Sequence, residues 1–190
     1  MKNTVYVFAR APRLGCVKRR LAAGIGARAA LRFYQATLAA TLRRLAADTR
    51  FRTVLALTPD GARGPWRLGL PVAGQGRGDL GTRMHRVVGG HRRGAVAIVG
   101  ADIPGLRADD VAVAFRRLRG ADAWFGPAED GGYWLVALGP RRPGRPFAGV
   151  RWSGPHARSD TLTNFRRRRV AFGRTLRDVD TVTDLEALHA

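Results

Sequence analysis

Every residue from Ala95 to Val99 is apolar, and the run stops at Gly100-Ala101-Asp102-Ile103-Pro104. A short apolar run closed by turn residues reads as a strand buried on both faces, with a carboxylate just beyond its carboxyl end. A strand of this kind needs strand neighbours on either side and cover over both faces. Helices over both faces of a mostly parallel sheet are one way to supply that cover, and the rest of the chain decides for it.

The rest of the sequence supplies those partners. Val5 to Phe8 and Thr53 to Leu57 read as further strands, and Leu70 to Val72 as a short one. Ala123 to Phe125, Tyr133 to Leu138 and a segment near Val170 complete the set. Between them, Leu31, Tyr34, Leu38 and Leu45 recur at helical spacing from Ala27 to Ala47. Asp79 is placed to cap a helix with Leu80, Met84, Val87 and Val88 on one face. Asp109 and Asp110 open another helix, with Val111, Ala114, Phe115 and Leu118 inward. A helix near His156 to Arg167 and a last one from Thr183 are also expected, with a proline-rich loop over Pro140 to Pro146. Alternating strands and helices predict a mostly parallel sheet covered on both sides. Neither a repeat nor a linker divides the 190 residues, so one domain is expected over residues 1–190.

Composition excludes several classes. The longest apolar runs are too short to span a membrane, and the early arginine at Arg10 argues against a signal core. Cys16 is the only cysteine, which leaves no disulfide framework and no zinc cluster, and His85, His91, His156 and His189 show no ligand spacing. A cytoplasmic protein is expected. The net charge of +20 invites a nucleic-acid reading. However, of the 34 basic residues only Lys2 and Lys18 are lysines, and alanine and glycine are abundant, as a coding bias toward G and C would produce. Arg166 to Arg169 then reads as a solvated helix face, and specific nucleic-acid binding is not expected. The same bias singles out Lys18, where a compact ammonium is retained against the trend.

Three segments fall where an open parallel sheet binds ligands, beyond the carboxyl ends of its strands. After the first strand, Arg10, Lys18 and Arg20 with the flexible Gly15 suit a polyphosphate, although the Gly-Lys-Ser/Thr ending of a Walker loop is missing. After the apolar strand, Asp102 is placed to hold Mg²⁺. Glu129-Asp130-Gly131-Gly132-Tyr133-Trp134 combines acids, a close-approach turn and an aromatic wall, and the same pattern also fits a hairpin whose aromatics enter the core. Asp178-Val179-Asp180 is a weaker candidate, because acids just before a final helix often serve as caps.

The order of these segments resembles a family of small bacterial GT-A-like transferases, described as glycosyltransferases associated with radical-SAM/selenodomain proteins and formerly as a domain of unknown function. The resemblance runs almost end to end. It rests on Arg10-x-Pro12-x-x-Gly15-x-x-Lys18-x-Arg20-Leu21, Gln75-x-x-Gly78-Asp79-Leu80-Gly81-x-Arg83-Met84 and Gly100-x-Asp102-x-Pro104-x-Leu106. It continues through Gly126-Pro127-x-Glu129-Asp130-Gly131-Gly132-Tyr133, Trp152-Ser153 and Asp178-Val179-Asp180-Thr181-x-x-Asp184-Leu185. Two positions depart from the pattern: Arg19 stands where the family has threonine, and Gly154 follows Trp152-Ser153 where the family has another threonine.

The resemblance implies the nucleotide-diphospho-sugar transferase (GT-A) fold, a three-layer α/β/α sandwich around a Rossmann-like sheet. The same fold is shared by molybdenum cofactor guanylyltransferase and phospholactate guanylyltransferase. It further implies that Arg10, Pro12, Gly15, Lys18 and Arg20 hold nucleotide phosphates, and that Gln75, Asp79 and Arg83 approach the base or acceptor. Asp102 and Asp180 would bind Mg²⁺ (or Mn²⁺), while Glu129, Asp130, Gly131, Gly132, Tyr133 and Trp152 would face a small-molecule acceptor. Lys18, Asp102 and Asp130 are the implied catalytic groups. Glycosyl transfer from a nucleotide-sugar leads. Nucleotidyl transfer from a triphosphate to a phosphorylated acceptor is the enzymatic alternative, and a non-catalytic or nucleic-acid-binding protein on the same scaffold is the other. The sequence leaves the oligomeric state open.

Overall fold

Apolar side chains on both faces of the central strands require cover from both sides, and the computed structural model, which describes residues 2–91 and 94–188, shows how the chain supplies it. In chain order the first elements are β1 (Thr4–Arg10), α1 (Arg19–Ile25), α2 (Ala27–Ala46), β2 (Arg52–Thr58) and β3 (Val72–Gly74). Then come α3 (Leu80–Gly89), β4 (Val96–Gly100), α4 (Ala108–Arg117), β5 (Ala123–Pro127) and β6 (Tyr133–Leu138). α5 (Ala157–Thr163), β7 (Val170–Phe172) and α6 (Val182–Ala187) close the order.

The seven strands form one sheet in the order β3-β2-β1-β4-β6-β5-β7. β1 lies parallel to both β2 and β4, with Phe8 opposite Gly100, and β6 runs antiparallel to β4 and β5. Residues 128–132 alone join β5 to β6, too short a link for a parallel crossover, so this connection is a hairpin. The sheet is therefore mixed, with one reversed strand inside a parallel frame.

Alternation along β1 sends Val5, Val7 and Ala9 to one face, where they join Leu38, Leu42 and Leu45 of α2 and Val111, Ala114 and Phe115 of α4. Tyr6 and Phe8 turn to the other face, toward Met84 and Val88 of α3 with Phe147 and Phe165. These are the three layers of the α/β/α sandwich. A third, smaller cluster of Leu21, Ala30 and Val179, with Ile25, Phe33, Val182 and Leu185 against it, ties α1 and α2 to the segment entering α6. No helix among the described residues is long and apolar enough to cross a membrane.

Several local expectations change. The loop after β1 ends sooner than its sequence suggests, because Arg19–Ile25 turns into a helix that buries Leu21. The strand expected at Leu70 to Val72 pairs instead over Val72–Gly74, where β2 offers its free edge. The helix expected over His156 to Arg167 stops at Thr163. Phe165 is drawn into the core against Phe125, and Arg166 to Arg169 are exposed on a turn and on the approach to β7, not on a helix face. Asp79 does cap α3, its Oδ1 accepting from the Thr82 N–H at 2.7 Å. His189 lies outside the described residues.

Candidate functional site

From β1 the chain builds outward to β2 and β3, whereas β4 leads to the opposite side of the sheet. The carboxyl ends of β1 and β4 thus border a switch in strand order, where a crevice opens. Arg10 ends β1 and Asp102 follows β4 by two residues, so these sequence candidates meet there.

The meeting is held by charge. Lys18 Nζ donates to Asp102 Oδ2 and to Asp180 Oδ1, both at 2.7 Å. Its side chain is only 4% exposed, while Asp102 and Asp180 are 34% and 35% exposed. Burial alone would depress the ammonium's pKa, but the two carboxylates outweigh it and hold it above the ordinary lysine value. Lys18 is therefore a fixed positive charge. Its backbone sits in the left-handed region at φ 47°, an uncommon place for a lysine, and the two ion pairs favour that conformation. Arg20 adds a longer contact, 3.7 Å to Asp180 Oδ2.

Neighbouring groups fix the same geometry. The buried Tyr34 hydroxyl donates to the Arg10 carbonyl at 2.9 Å and accepts from the Arg10 N–H at 3.0 Å, which pins the end of β1. Burial pushes the Tyr34 phenol above its ordinary value, so it stays a neutral donor. Gly15 takes φ +73° in the turn closed by Cys16 N–H donating to the Arg13 carbonyl. At the other end of the chain, Val179 is buried between two acids that point away from it. Asp184 Oδ2 accepts from the Asp180 and Thr181 N–H groups at 3.1 and 2.8 Å, which orients this extended segment before α6.

Asp178 joins the group. One carboxylate oxygen from each of Asp102, Asp178 and Asp180 lies within 4.8 Å of the others. Burial, reinforced by the charges of Asp180, Asp102 and Asp130, pushes the Asp178 carboxyl up to about 6. Three converging carboxylates that repel one another and provide only oxygen donors fit a hard dication such as Mg²⁺ or Mn²⁺. Asp102 and Asp180 were the expected ligands. Asp178 was not singled out, although its signal is present: residues two apart on an extended segment share a face.

Three cavities surround this group. A basic one of about 370 Å³ is lined by Arg10, Cys16, Lys18, Arg19, Arg20, Tyr34 and Asp180. An acidic one of about 640 Å³ runs past Glu129, Asp130, Asp178, Asp180 and Asp184. The third, about 320 Å³, lies over β4 and β6 and is walled by Phe8, Leu80, Met84, Tyr133, Trp134 and Trp152, with Asp102, Asp130 and Asp178 at its edge.

The hairpin turn reaches this third cavity because Gly131, at φ +87°, lets it lie against the Pro155 backbone, where a Cβ would collide. Asp130 Oδ1 accepts from Gly132 N–H at 2.8 Å. Glu129 is paired with Arg177 at 2.6 Å instead of facing the aromatic wall. Trp134 is buried, with Nε1 donating to the Arg174 carbonyl at 3.1 Å. Tyr133 is also held by the core, its hydroxyl 3.4 Å from Thr161 Oγ1. The hairpin description therefore holds, with both aromatics packed in the core, and the same two rings border the third cavity.

Other candidates fall outside the convergence. Gln75 is buried, and its amide donates to the Ala9 and Ala56 carbonyls at 3.1 and 2.8 Å, clasping β1 and β2. Arg83 Nε donates to the Gly78 carbonyl at 2.8 Å, and Asp79 serves as the α3 cap. None of the three, nor Pro12 or Gly15, lines any of the three cavities. The sequence reading missed Leu80, Met84 and Ser153 as cavity walls. At Gly154 an added Cβ would meet nothing within 4 Å, so packing does not explain that departure.

Comparison with known proteins accords with this architecture. The sequence profile of a family described as "uncharacterized protein conserved in bacteria" (DUF2064) matches residues 41–154. No curated protein matches the chain. Among solved structures, a candidate nucleotide-diphospho-sugar transferase from Desulfovibrio desulfuricans G20 superposes with a TM-score of 0.91 at 29% identity, covering 99% of this chain and 87% of that one. CMP:2-keto-3-deoxy-manno-octonic acid synthetase in complex with CTP gives 0.63 at 12% identity, over 99% of this chain and 97% of its own. Glucosyl-3-phosphoglycerate synthase from Mycobacterium tuberculosis, with Mn²⁺, UDP and glucosyl-3-phosphoglycerate, gives 0.61 at 11%, over 98% and 75%. The last two likenesses are of fold alone.

Proposed function

Because the chain belongs to this bacterial DUF2064 family, whose profile spans β4 and the Asp102 turn, we propose that it is a transferase acting on a nucleotide-activated donor, by the GT-A type of glycosyl transfer. The observation that carries the reading is the Lys18 clamp. A buried, permanently charged ammonium joins the carboxylates after β4 and before α6, at the junction of a basic cavity and an aromatic one.

In this reading Arg10, Lys18, Arg19 and Arg20 receive the donor's diphosphate, and Tyr34 holds the Arg10 backbone in place. Asp102, Asp178 and Asp180 hold a divalent cation, Mg²⁺ or Mn²⁺, which supplies Lewis-acid neutralisation of phosphate charge when bound. Lys18 cannot act as a base while it is charged. It contributes preorganised positive charge where the leaving diphosphate gains negative charge. Asp130, exposed at the border of the aromatic and acidic cavities, is the group placed to take the acceptor's proton. The D. desulfuricans protein named for nucleotide-diphospho-sugars supports a sugar-nucleotide donor here.

The test is a thermal-shift panel of nucleoside diphosphates, triphosphates and nucleotide-sugars with and without Mn²⁺, followed by product analysis with the stabilising donor. Release of a nucleoside diphosphate is expected. Release of pyrophosphate would replace glycosyl by nucleotidyl transfer, and a flat panel would overturn the transferase reading altogether.

A further inference from the structure

The cavities on either side of the aspartate group differ in charge. The basic cavity has Arg10, Lys18, Arg19 and Arg20 against the single carboxylate of Asp180. The aromatic cavity has Asp102, Asp130 and Asp178, and among the described residues no lysine, arginine or histidine lines it. Its walls include Phe8, Leu80, Met84, Tyr133, Trp134 and Trp152, with Ser153 and Gly154 beside them.

A bound dication would not change the sign. Its two charges and that of Lys18 balance Asp102, Asp178 and Asp180, and Asp130 remains negative. An anion entering this cavity would lose hydration, meet that carboxylate and find no cationic side chain of its own. An apolar body, by contrast, gains the rings and the Leu80 and Met84 side chains, and a hydroxyl or ammonium finds Asp130.

We propose that the aromatic cavity selects an acceptor with an apolar body bearing a hydroxyl or amine and no anionic group. This rests on the transferase reading for the word acceptor, although the cavity's selectivity can be measured without it. A phosphorylated or carboxylated acceptor is excluded by the same charge arrangement. Leu80 and Trp152 are its specificity-determining residues: Leu80 stands at the mouth, 42% exposed, and Trp152 forms the wall packed on Gly81.

The experiment holds the ring constant and varies the charge. Affinities of 2-phenylethanol, 2-phenylethylamine and 2-phenylethyl phosphate are measured by ligand-observed NMR on the full chain with Mg²⁺. The comparison is repeated in Trp152→Ala and in Leu80→Arg, whose added guanidinium sits at an already exposed position. The alcohol and amine are expected to bind at least about tenfold more tightly than the phosphate, a difference of ~1.4 kcal/mol. Trp152→Ala should weaken both, and Leu80→Arg should invert the order. Phosphate binding that survives Trp152→Ala but disappears in Arg20→Ala belongs to the basic cavity and agrees with the proposal. Phosphate binding as tight as the alcohol's and lost with Trp152 overturns it, as does the absence of Trp152-dependent binding by alcohol and amine up to millimolar concentration. Should Trp152→Ala fail to fold, inversion in Leu80→Arg decides alone. A parallel titration with UDP and GDP separates the two failures. Nucleotide binding together with Trp152-dependent phosphate preference sinks only the acceptor class, whereas a kept charge order without nucleotide binding sinks only the transferase reading.

Discussion

Replacing Lys18 by methionine keeps an unbranched stem out to Cε and removes only the ammonium, so the clamp can be tested with little loss of packing. Truncating one partner of a fully buried ion pair costs about 3–5 kcal/mol because the other charge is left unpaired. Here the ammonium is buried, but Asp102 and Asp180 are each about a third exposed and water can solvate them. Solvent screening reduces the expected loss to about 2 kcal/mol. For a domain of this size each kcal/mol moves the midpoint by about 2–4 °C, so Lys18→Met should melt about 4–8 °C lower in EDTA. The lost charge should also increase the response to metal. With the ammonium gone, three carboxylates repel without compensation, and a dication at about a hundredfold its Kd contributes ~2.7 kcal/mol, enough to offset the loss. Scanning calorimetry with and without Mn²⁺ thus has a paired expectation: a lower midpoint without metal and a larger metal-induced rise than in the parent. Nucleoside diphosphate should stabilise the variant much less. A midpoint within a degree of the parent in EDTA, or a Mn²⁺ rise no larger than the parent's, would refute the argument that Lys18 holds this acidic group together.

Leu21 is fully buried in the small cluster that ties α1 to Val179, and Leu21→Ala should cost about 2–5 kcal/mol and weaken nucleotide and metal responses together, read by urea unfolding and thermal shift. Gly131→Val forces a β-branched side chain into φ +87° and against Pro155, so a loss of about 2 kcal/mol or more is expected, together with altered tryptophan fluorescence as the hairpin turn separates from its loop. Gly154→Thr restores a hydroxyl in open space and should change stability by no more than about 0.5 kcal/mol, a result read from the thermal midpoint. Asp122 concerns pH. Arg141 Nε donates to its Oδ1 at 2.7 Å and Arg169 N–H to its Oδ2 at 3.0 Å, and these hold the carboxyl below the usual aspartate range. The unfolded carboxyl titrates at about 3.9, so its contribution is complete above that value and disappears as pH falls through the lower folded value. In Asp122→Asn the stability profile should be flatter over this acid window, measured by urea unfolding across pH.

What the sequence disclosed depended on whether the information was local. Val96 to Val99 needs no knowledge of the rest of the chain to be recognised as buried, because the run itself carries the pattern. Asp79 is equally local, since a cap needs only the helix that follows it. Arg19–Ile25 was harder: a seven-residue segment with three glycine or alanine positions and two leading arginines has little amphipathic pattern, and its one buried residue, Leu21, is paid for by contact with Val179 far along the chain. The break after Thr163 has the same origin. Helical propensity continues into Arg166 and Arg167, but packing of Phe165 against Phe125 wins over it.

The same distinction explains the site. Arg10 and Asp102 are legible because they stand at the carboxyl ends of β1 and β4, which the sheet brings to one edge whatever the rest of the chain does, whereas Lys18, eight residues beyond β1, stands out as one of only two lysines. Asp178 becomes visible only once Val179 is known to be buried, because then the acids on either side must emerge together. Gln75 shows the converse. The family resemblance implies a ligand contact for it, yet its amide is used on the Ala9 and Ala56 carbonyls, where leaving those buried acceptors unpaired would be costly. The motif residues around this crevice therefore divide by physical task. Charged groups that meet across distant elements form the candidate site, and polar groups with a near backbone partner form its frame. The charge difference between the two cavities follows from that division, since the cations enter on the β1 side and the one charged residue the hairpin brings to the aromatic cavity is Asp130. A guanidinium placed at Leu80 should therefore alter which acceptor charge is tolerated while leaving the Lys18 clamp intact. Retention of the parent's Mn²⁺ response in Leu80→Arg is the measurement that would separate those two roles.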